Sequence, residues 1–134
     1  MPSRPLIRSL SVLYKAVPLT SLRSCLFRLY CAMMRKRTVT VCLDDIRYRL
    51  DLGEMIDLCL YLDRYEPDVT RAINRLCKPR QAVLDIGANI GAHTLRMAKL
   101  VGPKGHVYAF EPTDYAFEKL RHNVCLNDFH NVAL

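Results

Sequence analysis

Apolar residues recur at two different periods along this 134-residue chain. From Leu22 they fall at Leu22, Cys25, Leu26, Leu29, Tyr30 and Met33, the spacing of one helical face, with Arg23, Arg28 and Arg35 largely off it. That spacing predicts a basic amphipathic helix. Over residues 38–43 the apolar positions Val39, Val41 and Leu43 alternate with smaller or polar ones. Ile46, Tyr48, Leu50 and Leu52 then alternate with Arg47, Arg49 and Asp51. Two period-two runs around Asp44-Asp45 predict a β-hairpin, ended by Gly53. Residues 54–64 form a mixed apolar segment read as helical. Pro67 follows Glu66 where a first helical residue is expected. Ala72, Ile73, Leu76 and Cys77 supply the buried face of a helix that Pro79 stops.

From Gln81 strand and helix patterns alternate. Residues 82–86 are a short apolar run suited to a central parallel strand, and residues 91–101 read as a helix with Leu95, Ala98 and Leu100 available for packing. Gly102-Pro103-Lys104-Gly105 is a turn, and residues 106–110 are rich in strand formers. Thr113 or Asp114 can cap a further helix through about Leu126, with Phe117, Leu120 and Val124 on one face. Residues 131–134 open a third strand. The order βαβαβ implies a parallel sheet with right-handed crossovers, the first half of a doubly wound α/β fold.

A 51% hydrophobic content is enough for a globular core and excludes a disordered chain. The net charge of +7 is not spread along the chain. Residues 1–43 hold eight basic side chains (Arg4, Arg8, Lys15, Arg23, Arg28, Arg35, Lys36 and Arg37) and no acid, while the other 91 hold twelve basic and thirteen acidic. The basicity belongs to an N-terminal extension, and the nearly neutral remainder argues against a nucleic-acid partner. That extension could lie on an anionic membrane surface or pack on the domain as a cap. Its acid-free, Arg- and Ser-containing character is shared with organelle transit peptides, but it lacks a secretory signal's apolar stretch and cleavage site. Basic residues interrupt every apolar run there well short of a membrane span. The six cysteines, Cys25, Cys31, Cys42, Cys59, Cys77 and Cys125, include no CxxC pair. They are read as reduced, mostly buried thiols of a cytoplasmic protein, and no metal is expected.

In an open α/β sheet the ligand binds beyond the carboxyl ends of the strands, which directs attention to Asp85-Ile86-Gly87-Ala88-Asn89-Ile90-Gly91. Gly87 would let the backbone turn sharply beside a ligand, and Gly91 would let the helix start approach it. Asp85 sets a carboxylate at the strand end, which repels a pyrophosphate but suits a ligand carrying an amino group and a sulfonium. Twenty positions after Gly91, Glu111 ends the second strand, where an acid can accept hydrogen bonds from both ribose hydroxyls of an adenosine moiety. The dinucleotide fingerprint G-x-G-x-x-G is broken by Asn89 and Ala92. These residues favour S-adenosylmethionine over NAD.

The segment resembles the FkbM family of class I methyltransferases. The likeness rests on Asp85-Ile86-Gly87-Ala88-Asn89-Ile90-Gly91, Thr94, the run from Val101 through Val107-Tyr108-Ala109-Phe110-Glu111-Pro112, Leu126-Asn127 and the upstream Tyr65-Glu66. It implies a Rossmann-like fold and methyl transfer from S-adenosylmethionine, most often to a hydroxyl oxygen of a sugar or other small molecule. It further implies that Asp85, Gly87, Ala88 and Asn89 border the methionine part of the cofactor and Glu111 the ribose, with Gly91 also among the cofactor-binding residues. Thr94 and Glu66 would add hydrogen bonds there. A helix-surface hydroxyl and a helix N-cap are their alternative readings.

The resulting expectation is an N-terminal extension over 1–37 and a methyltransferase part over 38–134, divided into hairpin and helices (38–80) and a cofactor-binding βαβαβ (81–134). A complete class I enzyme has seven strands, so a chain ending as its third strand opens is expected to be a truncated sheet. The alternative function is then a noncatalytic cofactor-binding or interaction remnant. Of His93, His106, His122 and His130, only His93 is near the turn in sequence, and no general base is assigned.

Overall fold

The computed structural model describes residues 37–134. The helix expected over residues 22–33, with Cys25 and Cys31, lies outside the described residues, as does nearly all of the basic segment expected to meet a membrane or cap the domain. The described chain forms two compact units. One consists of residues 37–41 with Leu50–Tyr65, the other of Cys42–Arg49 with Glu66–Leu134. The division passes through the hairpin.

The alternation of residues 38–51 produces β1 (Thr38–Leu43) and β2 (Ile46–Asp51). Asp44 (φ 50°) and Asp45 (φ 63°) are both left-handed, the geometry a two-residue hairpin turn needs to match strand twist. Along β2, Ile46, Tyr48 and Leu50 are buried while Arg47 and Arg49 are exposed.

In the first unit the Leu52 N–H donates to the carbonyl of Arg37 (3.0 Å). The Gly53 N–H donates to Asp51 Oδ1 (2.9 Å), and the Asp51 N–H donates to Asp57 Oδ2 (3.2 Å). Asp57 is fully buried, so its carboxylate needs such donors. Helix α1 (Met55–Tyr61) is shorter than the expected 54–64. It ends where Asp63 turns left-handed (φ 56°) and the Arg64 N–H closes on the carbonyl of Cys59 (2.8 Å).

The second unit continues with α2 (Pro67–Leu76), β3 (Ala82–Ile86), α3 (Ala92–Val101), β4 (His106–Phe110), α4 (Asp114–Cys125) and β5 (Val132–Ala133). The three strands form a parallel sheet in the order β3-β4-β5, with Val83 beside Val107 and Val107 beside Val132. Both crossovers advance in one direction, so right-handed connections put α3 and α4 on the same face. There Met97, Ala98, Val101 and Val107 form the core, with Val83, Val132, Phe129, Ile73 and Cys77 packed on it. The other face carries Leu84, Ile86, Tyr108 and Phe110, all exposed. The Asn131 side chain closes α3 from inside the fold, donating to the carbonyls of Ala98 and Gly102 (both 2.9 Å).

Several expectations need correction. Among the described strands β4 is central and β3 lies at an edge, because an apolar run reports burial but not strand order. Leu76 is 63% exposed. Only the Ile73 and Cys77 side of α2 reaches the core. On α3 Leu95 and Ala98 are buried as expected and are joined by Met97 and Val101, while Leu100 is only half-buried. Thr113 precedes α4 but makes no side-chain cap. The described cysteines are free, yet not mostly buried: Cys42 and Cys125 are exposed, Cys59 and Cys77 intermediate. Partial burial still pushes the thiols of Cys59 and Cys77 up, so both stay protonated near neutrality.

The hairpin tip is held by polar contacts within this unit. Lys99 Nζ donates to the Asp44 carbonyl (2.5 Å) and meets Asp45 Oδ2 (3.1 Å), while Arg96 reaches Asp44 Oδ2 (3.3 Å). The buried Tyr48 hydroxyl donates to the carbonyl of Ala92 (3.3 Å). Burial pushes its ionisation far up, so it remains a donor. Along the open edge of β2, the Arg47 N–H donates to Asn127 Oδ1 and Asn127 Nδ2 donates back to the Arg47 carbonyl (both 2.7 Å). The Arg49 N–H donates to Asn123 Oδ1 (2.8 Å). Two asparagine amides thus satisfy an edge that a neighbouring strand would otherwise fill.

Leu120 is completely buried on α4. Leu120→Ala should destabilise the fold by about 2–5 kcal/mol, read as a fall in the urea unfolding midpoint at unchanged slope.

Candidate functional site

β3 delivers the chain to the turn 87–91, whose shape depends on three left-handed residues: Gly87 (φ 82°), Asn89 (φ 49°) and Gly91 (φ 89°). The N–H groups of Gly87 and Ala88 both donate to the carbonyl of Phe110 (2.8 and 3.0 Å). Ile86 and Phe110 are register partners, so Gly87 and Glu111 leave the sheet side by side. The Gly91 N–H closes the turn on the Ala88 carbonyl (2.9 Å), and the Ile90 carbonyl accepts from Asn123 Nδ2 (2.9 Å).

The two turn glycines have different duties. Nothing lies within 4 Å of a Cβ built on Gly87, which therefore faces open space. A Cβ on Gly91 would come 2.8 Å from Leu120 Cδ1. Packing against α4 and its left-handed backbone both require glycine at position 91. Ala88 is likewise buried, with its N–H already spent on Phe110.

The acids are positioned more narrowly than spacing alone suggests. Asp85 Oδ2 accepts a hydrogen bond from Thr94 Oγ1 (2.5 Å). Thr94 is completely buried, so it is neither a helix-surface hydroxyl nor a group open to a ligand: it holds Asp85. Glu111 Oε2 accepts the Asn89 N–H (2.9 Å), and Oε1 accepts both the N–H (3.0 Å) and the hydroxyl (2.5 Å) of Thr113. These donors, the Thr113 hydroxyl first and its N–H next, hold the Glu111 carboxyl below the usual carboxylate range. Three of about four acceptor positions are therefore taken before any ligand arrives. For both ribose hydroxyls to bind Glu111, the Thr113 hydroxyl must turn away.

Glu66 is left-handed (φ 40°) and occupies the N-cap position of α2, but its side chain makes no capping hydrogen bond. Its Oε2 meets His93 Nε2 at 2.7 Å, at the start of α3. His106 stacks near Tyr108 at the opposite end of β4 from Glu111, and His122 and His130 are exposed. Asp85, Gly87, Asn89 and Glu111 thus share the carboxyl edge of β3 and β4, while Ala88, Gly91 and Thr94 support them from inside. Sequence reasoning missed Asn123 and Thr113. Asn123 had a legible signal, since it falls between Leu120 and Val124 on an otherwise apolar helix face. Among the described residues no three His, Cys, Asp or Glu side chains cluster as a metal site requires.

Comparison with known proteins shows what this segment is similar to. Residues 85–133 match the methyltransferase FkbM domain. Over 52 residues the chain is 40% identical to a protein-L-isoaspartate O-methyltransferase of Methanothrix thermoacetophila and 38% identical to one of Ignicoccus hospitalis. Each match covers 39% of this chain and 25% of the relative, so the chain spans about a quarter of the length of these curated relatives. M. jannaschii TYW2 in complex with AdoMet superposes with a TM-score of 0.58 at 21% identity, over 74% of this chain and 42% of that one. P. horikoshii TYW2 in complex with MeSAdo gives 0.55 at 18%, over 97% and 62%. These solved structures share the Rossmann-like α/β fold, and the family match adds a likeness to methyltransferases over residues 85–133.

Thr113→Ala should raise the Glu111 pKa toward its ordinary value, followed by NMR titration of the carboxyl carbon. Because the folded-state pKa is depressed, the carboxylate's stabilising contribution is present above the ordinary glutamate value. It is lost as pH falls through the lowered one, a window whose lower edge the substitution should raise. Thr94→Val, which keeps shape but deletes the donor to Asp85, should cost about 1–2 kcal/mol of stability by denaturant titration.

Proposed function

We propose that the carboxyl edge of β3 and β4 binds S-adenosylmethionine for transfer of its methyl group to an acceptor oxygen. The observation that carries this reading is the pairing of the open Gly87 turn with Glu111, whose Oε2 is fixed by the Asn89 N–H at 2.9 Å. The residues fit the cofactor. Gly87 leaves space beside the backbone, and Asp85 offers a carboxylate with one oxygen anchored by Thr94 and the other free to meet a cationic group. Glu111 is kept ionised with acceptor capacity left on Oε2. A pyrophosphate would face both carboxylates, which disfavours NAD.

When bound, S-adenosylmethionine supplies an electrophilic methyl group. The chain's own residues hold the reactant in place, and positioning of two reactants is the larger part of catalysis for such a displacement. Glu66 at the start of α2 and His93 at the start of α3 form a pair that can extend the polar rim. The FkbM resemblance supports a hydroxyl acceptor on a saccharide or other small molecule. The isoaspartate enzymes act, by their names, on a protein, and their 52-residue match favours oxygen as the methyl-accepting atom without carrying over the acceptor itself.

Calorimetric titration of the full chain with S-adenosylmethionine should show saturable binding, weakened at least tenfold in Glu111→Ala. Absence of binding by the wild-type chain would overturn the reading and favour a noncatalytic interaction module. With binding in hand, transfer of labelled methyl to saccharide hydroxyls rather than to an isoaspartyl peptide checks the acceptor class.

A further inference from the structure

We propose that Asn123 is a positioning residue of the cofactor turn, fixing the carbonyl of Ile90 through its side-chain amide; this rests on the reading of residues 87–91 as the S-adenosylmethionine site. Asn123 is completely buried on α4, and both ends of its amide are used. Nδ2 donates to the Ile90 carbonyl (2.9 Å), and Oδ1 accepts the Arg49 N–H (2.8 Å). The backbone partners leave the amide a single orientation, since an N–H requires the oxygen and a carbonyl requires the NH2. Arg49 therefore sets which way Asn123 points.

Ile90 stands between the two left-handed residues that give the turn its form. On one side Asn89 directs its N–H to Glu111 Oε2; on the other Gly91 packs against Leu120. With the Ile90 carbonyl held from α4 and the Gly87 and Ala88 N–H groups held from β4, the peptide of Asn89 has little freedom to rotate away from Glu111. A carboxylate at position 123 could still accept from Arg49, but it would present a second acceptor to the Ile90 carbonyl. Once protonated, the same carboxyl has an O–H to donate there.

The test is Asn123→Asp in the full chain, with amide hydrogen exchange at Ala88, Asn89 and Gly91 measured without ligand and affinity for S-adenosylmethionine measured from pH 5 to 9. Each value is normalised to wild type at the same pH. The expected result is exchange about tenfold faster and binding about tenfold weaker at high pH, the equivalent of one lost hydrogen bond, with both returning toward wild type on acidification. Asn127→Ala, which removes the bonds to Arg47 but not the one to Ile90, should leave exchange in the turn unchanged. Unaltered exchange in Asn123→Asp overturns the proposal. So does a perturbation that acidification does not reverse, or one that Asn127→Ala reproduces. If the exchange results appear as expected while wild type does not bind S-adenosylmethionine, the positioning role stands and the cofactor reading falls. Should the variant not fold, the wild-type Asn123 side-chain NH2 signal decides: slow exchange supports the bond, and exchange at the solvent rate refutes it.

Discussion

The carbonyl oxygen of Phe110 accepts two N–H groups, from Gly87 and Ala88, and the geometry around the site follows from that convergence. A chain leaving β3 must reverse toward α3 while still bound to the end of β4, which is sterically open only to residues that tolerate left-handed backbone. Gly87, Asn89 and Gly91 supply those conformations. Because the turn stays attached to β4, whatever follows Phe110 is carried to the same place, and that residue is Glu111. The neighbouring acids of the site are thus a product of strand register as much as of side-chain chemistry.

The donors around the acids are the second layer of the arrangement. Thr94 acts on Asp85 from inside α3, and Thr113 acts on Glu111 from the start of α4. Each carboxylate is oriented before a ligand is present, which lowers the reorganisation required on binding. The cost falls on capacity: an oxygen already accepting two hydrogen bonds has little left to offer. The free positions on Asp85 and Glu111, rather than the carboxylates as wholes, define what the edge can recognise.

Much of this was legible before any coordinates. The alternating patterns of residues 38–51 and 82–133 gave the strands and helices nearly to the residue, because period and turn-forming residues act locally. What periodicity lacks is direction. It could not say that β3 lies beside β4 with no described strand on its other side, or that the contact line of α2 runs through Ile73 and Cys77 and leaves Leu76 outside. Thr94 was legible in principle, since it shares the i, i+4, i+7 face of Ala98 and Val101 and so had to point inward. The role of Gly91 was not: its closest neighbour is Leu120, twenty-nine positions away, and only tertiary packing reveals it.

The hairpin turn at Asp44-Asp45 has a bearing on where in the chain its own stability can be lost. Two non-glycine residues in left-handed backbone cost roughly 1 kcal/mol or more each, and the contacts that offset this come from Arg96 and Lys99, more than fifty positions downstream. The edge bonds of β2 reach further still, to Asn123 and Asn127. A segment strained locally and compensated remotely depends on its distant partners to keep its shape. Residues 42–49 are therefore sensitive to substitutions at Arg96, Lys99, Asn123 and Asn127, none of which lies in the hairpin.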